Sequence, residues 1–384
     1  MRIAIINDAF ASSAGGQRQC LKLAIELQKR GHEVEIFTSI VNYKTCFPEL
    51  LWKVKINAVP YSYNLLKGHY KTLAGMIKMG CCISDKFDVI NNHNFPSEWA
   101  AFVAKKRLNI PVIWMCNEPP FWFFQAEAKR GKRKLYWPLF EVFDKIAVKK
   151  SMDQIVVLSN MIGEIVKRVY GKDFKVVRSG IDIKDYGNTM WNIFKKKYGL
   201  ENSFILLQVG IHYYKKPEDS IKAMAYLDYK YKNLKLIFIG LTDEKRKKML
   251  INLSQKLGVA NKVLFLGPVS DKELEQAYAA CDIFLFPSFQ SWSLSTVEAM
   301  VFKKPVIVSN KCGVSEIIDN YKNGIIVNHA EVKNLAMEIE RLIEDRELRV
   351  KIGMNAYINV KENLSWERYA ENMERIFMDV INER

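Results

Sequence analysis

The segment DIFLFPSFQSWSLSTVEAMVFKKPVIVSN, residues 282–310, decides the fold of this chain. It contains two short apolar strands, DIFLFP and PVIVSN, which are joined by the loop SFQSWSLS and the helix TVEAMV. A strand, a helix and a second strand in close succession predict a βαβ unit, in which the two strands run parallel. The segment therefore predicts a parallel sheet that is covered by helices.

The same alternation of short strands and longer helices runs through both halves of the chain. The strand-like segments of the first half are RIAIIN, VEIFTS, KVKINAV, DVINN, PVIWM and QIVVLS, and those of the second half are SFILLQVG, LKLIFIG, KVLFLG, DIFLFP, PVIVSN and GIIVN. We predict the α/β fold class, with two Rossmann-like, doubly wound domains that face each other across a cleft. Because open α/β sheets bind ligands beyond the carboxyl ends of their strands, that cleft is the expected site.

The length of 384 residues and the 49% hydrophobic content predict two hydrophobic cores rather than one. The segment VVRSGIDIKDY (176–186) is interpreted as the hinge, so we expect an N-terminal domain over 1–180 and a C-terminal domain over 181–364. Residues 365–384 are expected to form a helix that packs back on the first domain. Its apolar side chains at helical spacing are Trp366, Tyr369, Met373 and Ile376.

The bulk composition limits the partners and the compartment. A net charge of +16 predicts an anionic partner, such as nucleotide phosphates or a membrane surface. Nucleic acid is not expected, because no motif for reading bases accompanies the charge. Seven scattered cysteines without a CxxC pair indicate neither a disulfide framework nor a zinc site. No apolar run is long enough to span a bilayer, so we expect a cytoplasmic protein, either free or peripheral at the inner face of the membrane.

A glycine pair follows the first strand. Gly15 and Gly16 open a helix, and they allow the backbone to approach a ligand closely. A helix start offers free amides and a partial positive charge, which favour an anion. The alternative is a plain tight turn that exposes Arg18.

Two lysines follow a strand in the second half. Gly210 ends the strand SFILLQVG, and Lys215 and Lys216 lie just before the next helix. Lysines at this point of a nucleotide-binding fold can reach phosphate. The alternative is that both are ordinary surface lysines of a basic chain.

The helix in the opening segment carries a single carboxylate. The amides of Ser295 and Thr296 at its start can hold a diphosphate, and Glu298 can accept hydrogen bonds from the two hydroxyls of a ribose. The alternative is that Glu298 only complements the helix dipole.

These features occur together in one order along the chain. The GG loop, His93 in DVINNH, SGID at the hinge, VG with its following lysines, and PSF, LSTVEAM, KPVIVSN, GVSEII and NGIIV in succession resemble the family 4 retaining glycosyltransferases with the GT-B fold. The resemblance implies transfer of a hexose from a nucleotide-diphosphate sugar to a glycan or lipid-linked acceptor. It also implies retention at the anomeric carbon, with no metal and no other cofactor.

The resemblance assigns roles to individual positions. Glu298 would hold the donor ribose, and Gly16 would approach the diphosphate. The catalytic candidates are His93, Lys216 and Glu298. The donor-binding candidates are Gly15, Gly16, Gly210, Lys215, Lys216, Gln290, Leu294, Ser295, Thr296 and Glu298. Asn117 and Glu118 are candidates for contact with the acceptor or the sugar. An alternative role for His93 is to cap the end of a strand.

Three positions depart from the family pattern. Gln290 stands where the family has a glutamate, Ile211 where it has an arginine, and Asn117 where it has a histidine. These changes favour an alternative function, in which the protein binds the donor, transfers little sugar and acts as a partner or regulatory subunit. A phosphorylase on the same fold would require a lysine for pyridoxal phosphate, in a context that the sequence does not show.

The segment 119–150 interleaves aromatic and basic residues, which is typical of a contact with an anionic lipid surface. The residues concerned are Trp122, Phe123, Phe124, Tyr136 and Trp137 beside Lys129, Arg130, Lys132, Arg133 and Lys134. The segment LLKGHYKTLAGMIKM is a second candidate. The alternative is that the aromatics belong to the core and the charges to a solvated face.

Overall fold

The chain forms two compact units in a computed structural model. The structure describes residues 1–60, 69–120, 133–183, 190–240, 243–289 and 292–383. The first unit comprises Met1–Gly180 and Trp366–Arg384, and the second comprises Ile181–Ser365. Each unit has its own parallel sheet and its own helices.

The first unit is built on a seven-stranded sheet in its described part. Its strands, with those of a small β2–β4 pair, are β1 (Arg2–Asn7), β2 (Ala9–Phe10), β3 (Glu33–Thr38), β4 (Ile40–Val41), β5 (Lys55–Ala58), β6 (Val89–His93), β7 (Val112–Met115), β8 (Gln154–Val157) and β9 (Phe174–Val176). The strand order is β5-β3-β1-β6-β7-β8-β9, and all pairs are parallel. Its helices are α1 (Gly15–Lys29), α2 (Pro48–Leu51), α3 (His69–Cys82), α4 (Ser97–Leu108), α5 (Arg133–Ser151) and α6 (Asn160–Tyr170).

The second unit has a six-stranded parallel sheet in the order β12-β11-β10-β13-β14-β15. The strands are β10 (Phe204–Val209), β11 (Leu234–Ile239), β12 (Val263–Gly267), β13 (Ile283–Phe286), β14 (Val306–Ser309) and β15 (Ile325–Val327). The helices are α7 (Met190–Tyr198), α8 (Pro217–Leu227), α9 (Glu244–Lys256), α10 (Asp271–Ala280), α11 (Leu294–Val301), α12 (Val332–Glu344) and α13 (Arg346–Asn363). The predicted α/β class with two Rossmann-like sheets is confirmed.

The central strands of both sheets are apolar and buried. β1, β10 and β13 are almost entirely apolar and buried, because helices cover both faces of a doubly wound sheet. All seven cysteines are free thiols. No helix in the described ranges is both long enough and apolar enough to cross a membrane.

The last helix, α14 (Trp366–Asn382), belongs to the first unit although it follows the second in sequence. Tyr369 and Phe377 on its inner face are buried. Glu374 accepts hydrogen bonds from Arg30 Nε and His32 Nε2, both at 2.6 Å, at the end of α1. Burial alone would raise the pKa of Glu374, but the hydrogen bonds from His32 and Arg30 lower it below its usual value.

We predict that Glu374→Gln destabilises the first unit. The variant keeps the shape of the side chain and removes its charge. It should therefore lower the free energy of unfolding at neutral pH by about 1.5–3 kcal/mol, the usual contribution of hydrogen bonds to charged groups. Because the folded-state pKa is lowered, this stabilisation is present above the unfolded-state pKa of about 4.3 and is lost as the pH falls through the folded-state value. Urea unfolding at several pH values measures both effects.

The matched control is Glu371→Gln on the same helix. Glu371 forms an ion pair with Arg375 at the exposed surface, so its removal should change stability little. Equal losses in the two variants would contradict a docking role for Glu374.

Candidate functional site

The candidate site of the second unit lies at the carboxyl edge of its sheet. The strand order reverses at β10, which has β11 on one side and β13 on the other. Loops that leave neighbouring strands at such a reversal diverge and leave room for a ligand. The loop after β10 begins at Gly210, whose φ is +86° and whose amide donates to the Ile239 carbonyl at 2.6 Å.

Gly210 and Lys215 are brought together at this edge. The side chain of Lys215 folds over the glycine, and a Cβ atom on residue 210 would lie 2.9 Å from Lys215 Nζ. The same Nζ donates to the Val209 carbonyl at 3.0 Å, and Gln208 Nε2 donates to the Lys215 carbonyl at 2.8 Å. Contacts with the last residues of β10 therefore position the ammonium group.

Lys216 occupies the residue before α8 in a left-handed conformation, with φ +52°. Its ammonium lies 5.5 Å from the ring centroid of Phe289, which is within the range of a cation–π interaction. The Tyr214 carbonyl accepts hydrogen bonds from the Phe289 amide at 3.1 Å and from the Ser288 hydroxyl at 2.8 Å. The lysine loop after β10 is thus joined to the loop after β13.

The helix α11 starts at Leu294 with Ser293 as its N-cap. The Ser293 hydroxyl oxygen accepts a hydrogen bond from the Thr296 amide nitrogen at 3.1 Å. Serine makes this bond at many helix starts. Leu294, Ser295 and Thr296 therefore form the first turn, and a ligand would have to compete with Ser293 for the Thr296 amide. The cap could have been found from sequence, because Ser is a preferred N-cap residue.

Glu298 is half-buried one turn into α11. Its Oε2 atom accepts a hydrogen bond from the Tyr278 hydroxyl at 2.8 Å, and Tyr278 on α10 is itself buried. This bond fixes the orientation of the carboxylate. No local sequence pattern indicates Tyr278, because its role depends on how α10 packs beside α11. Gln290, the other polar candidate in this segment, lies outside the described residues.

Ile211 stands where the family has an arginine, and it is 3% exposed in the core of the second unit. Arg246 on α9 approaches the same backbone: its Nε donates to the Ile211 carbonyl at 3.3 Å, and its guanidinium forms an ion pair with Glu218. Burial and the neighbouring Lys215 lower the pKa of His212. No local sequence pattern indicates Arg246, since a distant helix supplies it.

The first unit has a corresponding edge where β1 ends between β3 and β6. The helix α1 starts at Gly15, and a Cβ atom on Gly16 would lie 2.8 Å from Asn94 Nδ2 and 3.8 Å from Asn117 Nδ2. Asn117 Nδ2 donates to Gln19 Oε1 at 2.9 Å. The glycine pair and Asn117 are therefore brought together, and Asn94 is a neighbour that sequence analysis did not consider.

His93 and Glu118 differ in their accessibility. His93 ends β6 and is fully buried, and its Nε2 donates to Asn91 Oδ1 at 2.8 Å. Burial lowers the pKa of His93 to about 3, so the ring is neutral at ordinary pH. Glu118 is half-buried after β7. The catalytic role of His93 stays a prediction, and contact with a substrate would require the ring to be exposed.

Two protein families match the chain. The model of the family described as Glycosyl transferases group 1 matches residues 190–359, and that of Glycosyltransferase Family 4 matches residues 13–185. Together they cover most of both units. The chain belongs to the family 4 glycosyltransferases and has the GT-B fold.

Similarity to individual proteins extends over almost the full length. The chain is 27% identical to an uncharacterized glycosyltransferase, MJ1607, of Methanocaldococcus jannaschii, with 94% of each chain covered. It is 26% identical to spore coat protein SA of Bacillus subtilis, with 98% of this chain and 99% of that protein covered. The crystal structure of Anabaena Alr3699/HepE in complex with UDP-glucose superposes with a TM-score of 0.80 at 18% identity, over 99% of this chain and 100% of that one.

We predict that Gly210→Ala is more destabilising than Gly199→Ala. Both glycines have positive φ values, +86° and +64°, so each substitution should cost roughly 1 kcal/mol of backbone strain. No heavy atom lies within 4 Å of the added Cβ at position 199, whereas at position 210 it would displace the Lys215 side chain. Chemical denaturation of both variants measures the difference, and equal losses would contradict the close packing of Lys215 on Gly210.

Proposed function

We propose that this glycosyltransferase transfers a hexose from a nucleotide-diphosphate sugar to a glycan or lipid-linked acceptor. The transfer retains the anomeric configuration and needs no metal. The observation that carries the proposal is the joining of two loops at the carboxyl edge of the second sheet. One loop carries Lys215 and Lys216, and the other leads into the helix that carries Glu298. The Anabaena protein crystallised with UDP-glucose supports a donor of this class.

The diphosphate of the donor requires positive charge and hydrogen-bond donors. Lys215 and Lys216 supply two ammonium groups at the strand end, and the first turn of α11 adds the positive end of a helix dipole. This charge stands in for the divalent ion that would otherwise neutralise the phosphates. We propose that transfer therefore persists in the presence of a chelator.

Glu298 is proposed to hold the ribose. A carboxylate oriented by the Tyr278 hydroxyl is suited to accept hydrogen bonds from the two vicinal hydroxyls of the sugar. Such a contact selects a ribonucleotide without affecting the chemistry at the hexose. Its loss should therefore reduce donor affinity more than the rate of the chemical step.

The reaction is proposed to proceed by front-face displacement. The bond from the anomeric carbon to the β-phosphate oxygen breaks, the acceptor hydroxyl bonds to the same face of the carbon, and its proton passes to the departing phosphate. Negative charge grows on that phosphate during the step. Stabilisation by a positioned lysine is therefore the main contribution of the protein.

A second candidate function is donor binding with little transfer, as a partner or regulatory subunit. The burial of Ile211 favours it, because that position supplies no cation to the phosphates. Arg246 reaches the Ile211 carbonyl from α9, but its ion pair with Glu218 offsets its charge. Turnover of a nucleotide sugar decides between the two functions.

We expect Lys216→Ala to reduce hydrolysis of UDP-glucose about a hundredfold, the usual loss when one stabilising donor is removed. Glu298→Ala should weaken UDP binding about tenfold, which corresponds to one charged hydrogen bond. Calorimetry with UDP and a hydrolysis assay with and without EDTA measure these effects.

Lys232→Ala is the matched control, because Lys232 is exposed just before β11 at the opposite edge of the sheet. It should leave both quantities unchanged. Tight UDP binding with no turnover across donors would instead support the binding protein, and strict dependence on a divalent ion would refute the metal-free step.

An anionic membrane surface is proposed as the place where a lipid-linked acceptor is met. The helix α5 exposes a stripe of Leu139, Val142 and Ile146, which are 70%, 57% and 43% exposed. Lys149 and Lys150 are exposed at its end. Apolar side chains beside lysines are typical of helices that lie on anionic bilayers.

The remaining residues of the predicted lipid contact are placed differently. Trp137 packs in the core of the first unit, as the alternative expected. Trp122, Phe123, Phe124, Lys129, Arg130 and Lys132 lie outside the described residues. The proposal therefore depends on the exposed stripe of α5.

We predict that the double substitution V142D and I146D weakens binding to vesicles of phosphatidylcholine and phosphatidylglycerol at least about tenfold, since each buried apolar side chain contributes roughly 1.5–3 kcal/mol. Co-sedimentation measures the binding. Met337→Asp on α12, where Met337 is 61% exposed in the second unit, is the control. Unchanged binding by the double variant would contradict the membrane role of α5.

A further inference from the structure

Two aromatic side chains of the first unit are stacked on its surface. The rings of Tyr43 and Trp52 have centroids 4.6 Å apart and planes that differ by 27°. Tyr43 is 39% exposed and Trp52 is 74% exposed. These two residues form an aromatic platform. Large aromatic faces left in water at a protein surface are typical of binding sites.

The backbone around the aromatic platform is well anchored. Trp52 follows α2, whose residues Leu50 and Leu51 are buried. The turn that carries Tyr43 is closed by the Asn42 carbonyl, which accepts the Cys46 amide at 3.1 Å, and by the Asn42 side chain, which accepts the Lys44 amide at 3.0 Å. The backbone that carries the two rings is therefore ordered before any ligand arrives, which reduces the entropy cost of binding.

The platform is tied to the loop that precedes the glycine pair. The Ser13 hydroxyl donates to the Thr45 carbonyl at 2.8 Å, and the Thr45 hydroxyl donates to the Ala11 carbonyl at 2.8 Å. On the other side, the Arg18 guanidinium of α1 lies 5.6 Å from the ring centroid of Phe47. The segment between Tyr43 and Trp52 thus contacts residues that precede and residues that follow Gly15 and Gly16 in the sequence, at the start of α1.

We propose that the aromatic platform is a carbohydrate subsite, which binds a pyranose ring of the glycan acceptor. The inference rests on the proposed function, because it specifies the acceptor of that reaction. One face of a pyranose carries C–H groups with a slight positive charge, and these pack favourably on the negative face of an aromatic ring. The hydroxyl rim of the sugar remains available to polar neighbours.

The surroundings of the platform match a sugar better than a lipid surface or a protein. Asn42, Lys44 and Lys53 adjoin the two aromatic residues in sequence and are exposed. Their amide and ammonium groups can bind the sugar hydroxyls. A lipid surface would instead favour a wide apolar patch, and a protein partner would favour a contact of about 800 Å² on each side. The platform is two rings wide, which corresponds to one or two sugar units.

The test uses saturation-transfer NMR on the full chain with a panel of gluco-, galacto- and N-acetylglucosamine-configured disaccharides and trisaccharides, with and without UDP. We expect at least one oligosaccharide to receive saturation on its ring protons. Trp52→Ala should weaken its binding about tenfold, whereas Trp52→Phe should retain most of it. In a transfer assay, the acceptor KM should rise by the same factor, while kcat and the Kd for UDP stay unchanged.

Trp191→Ala is the matched control, because Trp191 is a partly exposed tryptophan of the second unit, at 44%. It should change neither sugar nor UDP binding, and the melting temperatures of all three variants should equal that of the wild type. The subsite proposal is overturned if no oligosaccharide in the panel binds the wild type or if Trp52→Ala binds it equally well. It is also overturned if the substitution alters only vesicle binding or the oligomeric state. UDP binding with no sugar binding would refute the subsite alone, and sugar binding without UDP binding would refute the donor proposal alone.

Discussion

The parallel hydrogen-bond ladder is the constraint on which the rest of this structure depends. A parallel strand must be followed by a crossover before the next strand can pair, so every strand of a sheet ends at the same edge. In the second unit the order reverses at β10, and the Gly210 amide completes the ladder by donating to Ile239. Lys215 and Lys216 come after β10 in the chain, and the helix that carries Glu298 comes after β13. Both strands end at this edge. The first unit uses the same arrangement around β1, where Gly16 approaches Asn94.

Backbone carbonyls organise the loop that carries Lys215 and Lys216 in the second unit. The Tyr214 carbonyl joins two loops, and the Val209 carbonyl accepts a hydrogen bond from the Lys215 ammonium. A carbonyl orients an ammonium group without cancelling its charge, so the positive potential at the edge is preserved. Arg246 shows the contrast, because its ion pair with Glu218 offsets its charge.

Two surface features of the first unit depart from an ordinary polar exterior. In the first unit, α5 exposes an aliphatic stripe, and the loop beside the glycine pair exposes stacked aromatic rings. Aliphatic side chains beside lysines suit an anionic lipid surface, whereas flat rings among polar groups suit a sugar. Both features belong to the unit that carries the acceptor candidates Asn117 and Glu118. In the proposed function, the second unit binds the donor and the first binds the acceptor.

Apart from β9 and the short β2–β4 pair, the sequence by itself determined the described strands. It determined the two parallel sheets and the family as well, because periodicity, glycines at strand ends and ordered motifs are local properties of the chain. It also placed Gly210, Lys215 and Glu298 near strand ends, since a residue that follows a parallel strand must lie at the carboxyl edge. Only the tertiary structure decided that Tyr278 orients Glu298, that Arg246 reaches Ile211 and that His93 is buried. Those partners come from other helices or from the depth of the core. Their positions depend on how helices pack on the sheet, which no local pattern records.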